Sequence, residues 1–415
     1  MTTAFSRSIF AAFVIATGCV RAVYGQAVTQ RGFVDARGTL FPQDAPNDPT
    51  NAVVDFLARD EVFIKPAAWI QFGAGIDFRA ATHQRVDDSW ALDWSDRTVE
   101  RPRLSVRRLS ATISRRWLTI DAGKQFIRWG KTDIVTPTDR FAPRDFLDVF
   151  DNEFLAVTGV RAAARAGGES FEAVWVPRLT PSRIPLLNQR WTVVGENLAG
   201  VPVVDVSEPP PHGSEVGLRW SHIGAGFESS LSFFDGFNHL PTVNVLVQPA
   251  PLQIDVDRVY PAIRSYGGDV AVPLRWATVK GEAAYVRAAS SASDDYVLYV
   301  VQLERQTGEW VFVGGYAGEV VTELRTPFSF APDRGVSRAF IGRASYTIDP
   351  NRSVAFESAV RQTLVAAYVR AEYSQAHGQH WRTTVAGTII RGDPTDFIGQ
   401  YRRNSHVAIS LRYSF

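Results

Sequence analysis

Seven histidines, at positions 83, 212, 222, 239, 377, 380 and 406, are the first residues to test for chemistry, and their spacing argues against it. None belongs to an HExxH pair, no serine stands in GxSxG, and no glycine-rich phosphate loop or convincing carboxylate pair is present. A hydrolytic site needs Ser, His and an orienting polar group brought together. Ser221-His222 is read instead as part of a tight turn. The single cysteine, Cys19, and the single methionine, Met1, both fall in a segment read as removed. The mature chain then has no structural disulfide, CxxC redox pair or zinc-thiolate site. No catalytic residue, cofactor or metal ligand is assigned, and the chain is not read as an enzyme.

What remains is charge. There are 44 basic and 43 acidic residues, a formal net charge of +1, so no basic field points to nucleic acid. One stretch, 127–152, concentrates both signs together with aromatics. It carries Arg128, Lys131, Asp133, Asp139, Arg140, Arg144 and Asp145, among Trp129, Phe141, Phe146 and Phe150. Just upstream lie Arg107, Arg108 and Asp121. Such residues can attract, orient or hold a polar solute without making or breaking a bond.

The elements that must position these charges are strands. Mean hydropathy is −0.08, with 45% hydrophobic and 12% aromatic residues. After residue 25 no apolar run approaches the ~18 residues of a membrane-spanning helix. Alternation with period two recurs instead. Ile70, Phe72, Ala74, Ile76 and Phe78 alternate with Gln71, Gly73, Gly75, Asp77 and Arg79, and Val297–Glu304, Phe340–Ile348 and Val354–Arg361 behave alike. Short turn-forming sets such as Ser114-Arg115-Arg116, Ala166-Gly167-Gly168 and Asp349-Pro350-Asn351 alternate with mostly longer connections. Two of the longer ones are 127–152 and 178–213, the second stiffened by Pro209-Pro210-Pro211. Short and long connections in turn are the layout of a transmembrane β-barrel with tight periplasmic turns and longer outer loops. The expectation is an all-β, antiparallel up-and-down barrel of about 18 strands, within 16–20.

The ends of the chain agree. Residues 1–25 read as an export signal: Arg7, then an uncharged, mostly apolar run Ser8–Val20, with cleavage placed after Gly25 and Ala27 as second choice. Ala16-Thr17-Gly18-Cys19 offers lipidation at Cys19 as an alternative. Residues 26–415 then form one barrel domain. Its last segment places Val407, Ile409, Leu411, Tyr413 and Phe415 on one apolar face. This resembles the C-terminal strand of bacterial outer-membrane barrels, which ends in Phe. The resemblance implies that Leu411, Tyr413 and Phe415 are read by the barrel-assembly machinery.

A second resemblance covers about residues 30–190. Gly123-Lys124-Gln125-Phe126-Ile127-Arg128-Trp129-Gly130, followed by Pro137, Asp139 and Pro143-Arg144-Asp145, resembles a porin-like family of uncharacterised outer-membrane proteins. That family is related to polysaccharide-export and anion-porin barrels. The resemblance implies an outer-membrane channel, surrounded by lipid and passing small polar solutes, its homo-oligomeric state left open, and the even strand count leaves both termini periplasmic. With the polar strand faces turned inward, lumen charges nearly balance, giving no net sign for selection. The constriction candidates are the ten residues from Arg107 to Asp145 named above, with loop 127–152 folding inward and 178–213 as second choice. A plugged barrel with a structural or adhesive role is the alternative, and an outer-membrane enzyme the least favoured reading. One local expectation is sharper. Leu104 and Val106 share one parity, and Leu109, Ala111 and Ile113 the other. An extra residue at 107–108 would keep one apolar face and turn both arginines inward, so a β-bulge is expected there. Asp121 on the next strand would then pair with one of them.

Overall fold

Alternating apolar and polar residues make strands that bury one face and present the other, and here the apolar face points outward. The computed structural model describes residues 27–46, 48–187, 189–192, 201–289, 293–324 and 331–415. The export signal and Cys19 lie outside the described residues. The barrel begins with β1 (Ala27–Leu40), β2 (Ala52–Ala67), β3 (Ile70–Ala81), β4 (Leu104–Arg115), β5 (Leu118–Gln125) and β6 (Val157–Ala166). It continues through β7 (Glu169–Val176), β8 (Glu215–Ile223), β9 (Glu228–Phe237), β10 (Ala262–Pro273), β11 (Thr278–Ala288) and β12 (Asp295–Thr307). It ends with β13 (Trp310–Glu323), β14 (Ala339–Asp349), β15 (Arg352–Arg361), β16 (Ala366–His377), β17 (Trp381–Gly392) and β18 (His406–Ser414).

Each strand pairs antiparallel with its sequence neighbours, and β1 closes the ring against β18 from Phe33↔Ser414 to Leu40↔Val407. Gly32 and Phe415 finish the seam with two backbone hydrogen bonds of 3.0 Å. Closure leaves no unpaired edge, the condition for a sheet surrounded by lipid. The turns at 68–69, 116–117, 167–168, 308–309 and 350–351 are two residues long, whereas 126–156 and 177–214 are the longest connections. The count of eighteen and the alternation of connections agree with the sequence reading.

Outward side chains such as Phe72, Ile76, Leu109, Leu231, Val301, Ile389 and Ile409 are exposed on the outer surface. Trp69, Trp117, Trp276, Trp310 and Trp381 stand exposed at the short-turn end. An apolar band with an aromatic girdle is the lipid-facing signature of such barrels. No helix among the described residues is long and apolar enough to cross a membrane. At the long-loop end, 203–205 pairs in parallel with Leu252–Val259, which pairs with Thr242–Pro249, making a separate three-stranded sheet.

The bulge is present. Gly75 faces Arg108 while Ile76 faces Val106, so Arg107 has no partner in the ladder. Both arginines lie over the Phe126 ring, at 4.8 and 5.3 Å. The expected partner is corrected. Asp121 lies opposite Thr112, whose Oγ1 donates to it at 2.5 Å, and Arg161 approaches at 3.9 Å. Four residues of strand, about 13 Å, separate Thr112 from Arg108, too far for Asp121 to reach. The arginines meet Glu61, Asp77 and Glu153 instead.

Candidate functional site

The connection 126–156 enters the barrel, and the Gly123–Gly130 segment shows how. Gly123 has φ +114°, and a Cβ there would lie 2.2 Å from the Leu109 carbonyl oxygen. Gln125 Nε2 donates to the carbonyls of Asp121 and Gly159, at 3.2 and 3.1 Å, fixing the end of β5. Trp129 Nε1 donates to Glu172 on β7. Gly130 lets the chain double back, since a Cβ would stand 2.6 Å from Thr136. Asp139 then accepts from the Trp129 and Gly130 amides, at 2.5 and 2.6 Å, and pins the turn.

One wall residue holds the loop's first half. Glu282 of β11 accepts five hydrogen bonds: from Lys131 N at 2.7 Å, Thr132 N at 2.9 Å, Thr132 Oγ1 at 2.8 Å, Thr138 N at 2.8 Å and Thr138 Oγ1 at 2.9 Å. Both carboxylate oxygens are used, and the side chain is buried. Charge-assisted bonds to backbone amides are the strong kind. Around this anchor Lys131 Nζ reaches Glu228 of β9. Asp133 takes Lys280 Nζ of β11 at 3.0 Å and Gln302 of β12. Phe141 meets Trp129 and Phe234 edge-on, at 5.2 and 4.9 Å.

The second half reaches the facing wall. Phe150 stacks on Tyr368 of β16 at 4.6 Å. Asp151 pairs with Arg37 of β1 and lies 3.8 Å from Arg370 of β16. Glu153 binds Arg59 of β2 at 3.2 Å, Arg79 of β3, and Arg107 of β4 at 3.5 Å. Eight strands lie between β2 and β11 in either direction round the ring, so the segment crosses the lumen.

A buried ion network ties it to its neighbouring outer connections. Asp145 accepts from Arg101 Nε and Nη2 at 2.9 and 3.0 Å and from Arg183 Nη1 at 3.3 Å. Arg183 also holds Asp96 at 3.0 Å, and Asp96 holds Lys124 at 2.6 Å. Burial pushes the Asp145 carboxyl up, but the guanidiniums of Arg101 and Arg183 overcome this and hold it at about 2. Burial acts likewise on Glu153, and Arg79 and Arg59 hold it well below the ordinary carboxylate range. Burial, then the charge of Asp151, pushes Asp148 upward.

The remaining candidates line the loop itself. Arg128 and Arg144 both lie over the Phe154 ring, at 4.0 and 4.2 Å. Arg140 donates to the Pro137 carbonyl from Nε at 3.0 Å and Nη2 at 2.7 Å. Arg140, Arg144 and Asp139 border a cavity of about 170 Å³ between the loop and wall residues that include Glu357 and Tyr368. The structure thus brings Arg128, Lys131, Asp133, Asp139, Arg140, Arg144 and Asp145 onto one lumen-crossing segment. Arg107 and Arg108 stand on the wall where it lands. Asp121 lies apart from that landing. Leu411, Tyr413 and Phe415 lie outside the lumen, on the seam of β18.

Sequence reading missed Arg59, Glu61, Glu153, Arg101 and Arg183. The run Ala58-Arg59-Asp60-Glu61 breaks alternation with three consecutive charges, which hid the inward face of β2. Glu153 lies one residue past the expected loop boundary.

These features define a fold class: a closed, eighteen-stranded antiparallel β-barrel with an inward third long connection. Solved structures of that kind superpose on nearly the whole chain. A BenF-like porin from Pseudomonas fluorescens Pf-5 matches with a TM-score of 0.56 at 8% identity, over 95% of this chain and 98% of that one. Pseudomonas aeruginosa OpdQ matches with a TM-score of 0.52 at 10% identity, over 95% and 99%. OccK5 (OpdH) of the same organism matches with a TM-score of 0.53 at 8% identity, over 93% and 97%. At these identities the likeness is one of fold. No family model matches the chain, and no curated protein matches it in sequence.

Proposed function

We propose that the chain is an outer-membrane channel for small polar solutes, with segment 126–156 as its constriction. The observation that carries this reading is the crossing itself, anchored at Glu282 on one wall and at Arg37, Arg59 and Arg79 on the other. Charges along the wall stand in mixed groups: Arg37, Arg59, Arg79, Arg107 and Arg108 share β1–β4 with Asp35, Glu61 and Asp77, and Glu228, Asp269, Glu282 and Glu304 share β9–β12 with Lys280. A lumen lined in this way offers groups of both signs to a passing polar solute. Passage needs no cofactor.

In this reading the short turns and both termini face the periplasm. The exposed apolar face of β18 serves assembly, so deleting Phe415 lowers the amount of folded barrel without affecting export across the inner membrane. Unchanged assembly would remove that role. An apolar core inside the barrel, including Ile127, Phe141, Trp191, Leu298 and Tyr401, favours the second reading of a plugged, structural barrel. Solute flux into proteoliposomes separates the two. A channel admits small sugars and amino acids, whereas a plugged barrel leaves the liposomes as tight as protein-free ones.

A further inference from the structure

We propose that the outward surface of β10 and β11 carries a binding site for a phosphate monoester on an outer-leaflet glycolipid, formed by Arg264 and Arg287. These residues face each other directly in the antiparallel ladder. Both alternate with inward buried neighbours, Ile263 and Ser265 on one strand and Val286 and Ala288 on the other, so both point away from the lumen. Like charges directly opposite on one face repel. Among the described residues one carboxylate offsets them: Asp235 of β9 accepts from Arg264 Nε at 2.9 Å, and that pair is well exposed. Among the described residues, no acidic group lies within ion-pair distance of Arg287.

Their height on the barrel identifies what could supply the missing charge. Below Arg264 the outward positions of β10 and its turn are Tyr266, Gly268, Val270, Val272 and Leu274, with Trp276 in the same turn. Ten residues from Arg264 to Leu274 span about 33 Å of strand. At the usual tilt that is a band about 25 Å tall, the height of the lipid-facing apolar zone. Arg264 and Arg287 therefore stand at its long-loop margin. Beneath them Tyr266 and Tyr285 form the next outward cross-strand pair, and Phe233 lies 5.4 Å from Tyr266. Aromatic side chains below and guanidiniums above fit an amphiphile whose acyl chains lie on the belt and whose phosphate sits at the rim. A phosphate monoester presents three terminal acceptor oxygens, enough to engage the Arg287 fork and the part of Arg264 that Asp235 leaves free, whereas a phospholipid diester presents two. Guanidinium forks suit phosphate oxygens.

The site rests on the outer-membrane reading, which places the long loops at the outer face. The test uses the whole barrel purified in detergent and native mass spectrometry to count retained lipid. The probe is an acylated diglucosamine bisphosphate. Arms with its dephosphorylated form and with phosphatidylglycerol distinguish monoester phosphate from acyl chains and from diester phosphate. The parent protein should retain the bisphosphate about tenfold more tightly than R264Q/R287Q, R287Q should fall between, and R287K, which keeps the charge but loses the fork, should lie between R287Q and the parent. Equal retention by parent and double variant overturns the site. Equal retention of the dephosphorylated lipid or of phosphatidylglycerol by the parent overturns the assignment to a phosphate monoester. Heat-modifiable gel mobility and conductance are recorded on the same preparations. Loss of lipid selectivity in a folded, conducting barrel counts against this site alone, and a silent barrel that retains the lipid counts against the channel alone.

Discussion

Arg107 shows how far a sequence can specify one residue. The apolar positions change parity across 107–108, and only an inserted residue keeps Val106 and Leu109 on the same face. The insertion is visible in the ladder as the jump from Gly75↔Arg108 to Ile76↔Val106. Deleting Arg107 should therefore restore a regular ladder and leave folding intact by heat-modifiable mobility, whereas deleting Leu109 should abolish it. An unfolded Arg107 deletion beside a folded Leu109 deletion would refute the bulge. The arginines' partners were not legible, because Glu153 comes from a distant connection and Asp121 is placed by a register that no local pattern encodes. Glu282 was visible as an inward charge, but its role depends on backbone amides about 150 residues away. Glu282→Ala leaves five amide and hydroxyl groups of the loop without this acceptor, three at Lys131–Thr132 and two at Thr138, costing about 1–3 kcal/mol for each buried group left unpaired. The expected result is a folded barrel whose single-channel current flickers between levels. A steady current identical to the parent would show that Glu282 does not hold the loop.

At the scale of elements, the lumen-crossing segment was legible as a long, aromatic stretch rich in both charge signs. Its anchors were partly legible too. Trp129, Phe141 and Phe150 reach the wall, while Phe146 packs with Ile184 and Leu240 of other outer connections. The clasp between connections, Arg101–Asp145–Arg183, was not legible, since its members lie 44 and 38 residues apart along the chain. Breaking a buried ion pair from one side costs about 3–5 kcal/mol, so Asp145→Asn should expose connection 177–214 to protease at neutral pH. The parent's behaviour follows from the sign of the shift. A carboxyl held at about 2 in the fold, against about 3.9 unfolded, stabilises fully above the unfolded value and loses that contribution as pH falls toward 2. Protease sensitivity in the parent should therefore appear only below about pH 4. Cleavage that sets in near pH 6 would contradict the clasp.

For the whole molecule, eighteen strands could be counted because most tight turns announce themselves locally through Gly, Pro, Asn or Asp, and most strands through their alternation. Closure of β1 on β18 follows once the count is even and both ends lie on one side. The outer sheet of 203–205, Thr242–Pro249 and Leu252–Val259 was hidden because it joins segments of different long connections. The apolar core within the barrel was hidden for a related reason. Residues such as Leu298, Val300 and Ile341 lie on the inward face of strands that are apolar on both sides, and alternation alone does not say which apolar face meets lipid. The central claim is that segment 126–156 narrows an aqueous path through this barrel. Single-channel recording in planar bilayers, comparing the parent with a variant lacking 133–148, tests it most directly. The account predicts defined channels in the parent and a higher unitary conductance in the deletion. Equal conductance in the two would place the loop outside the path of the solute.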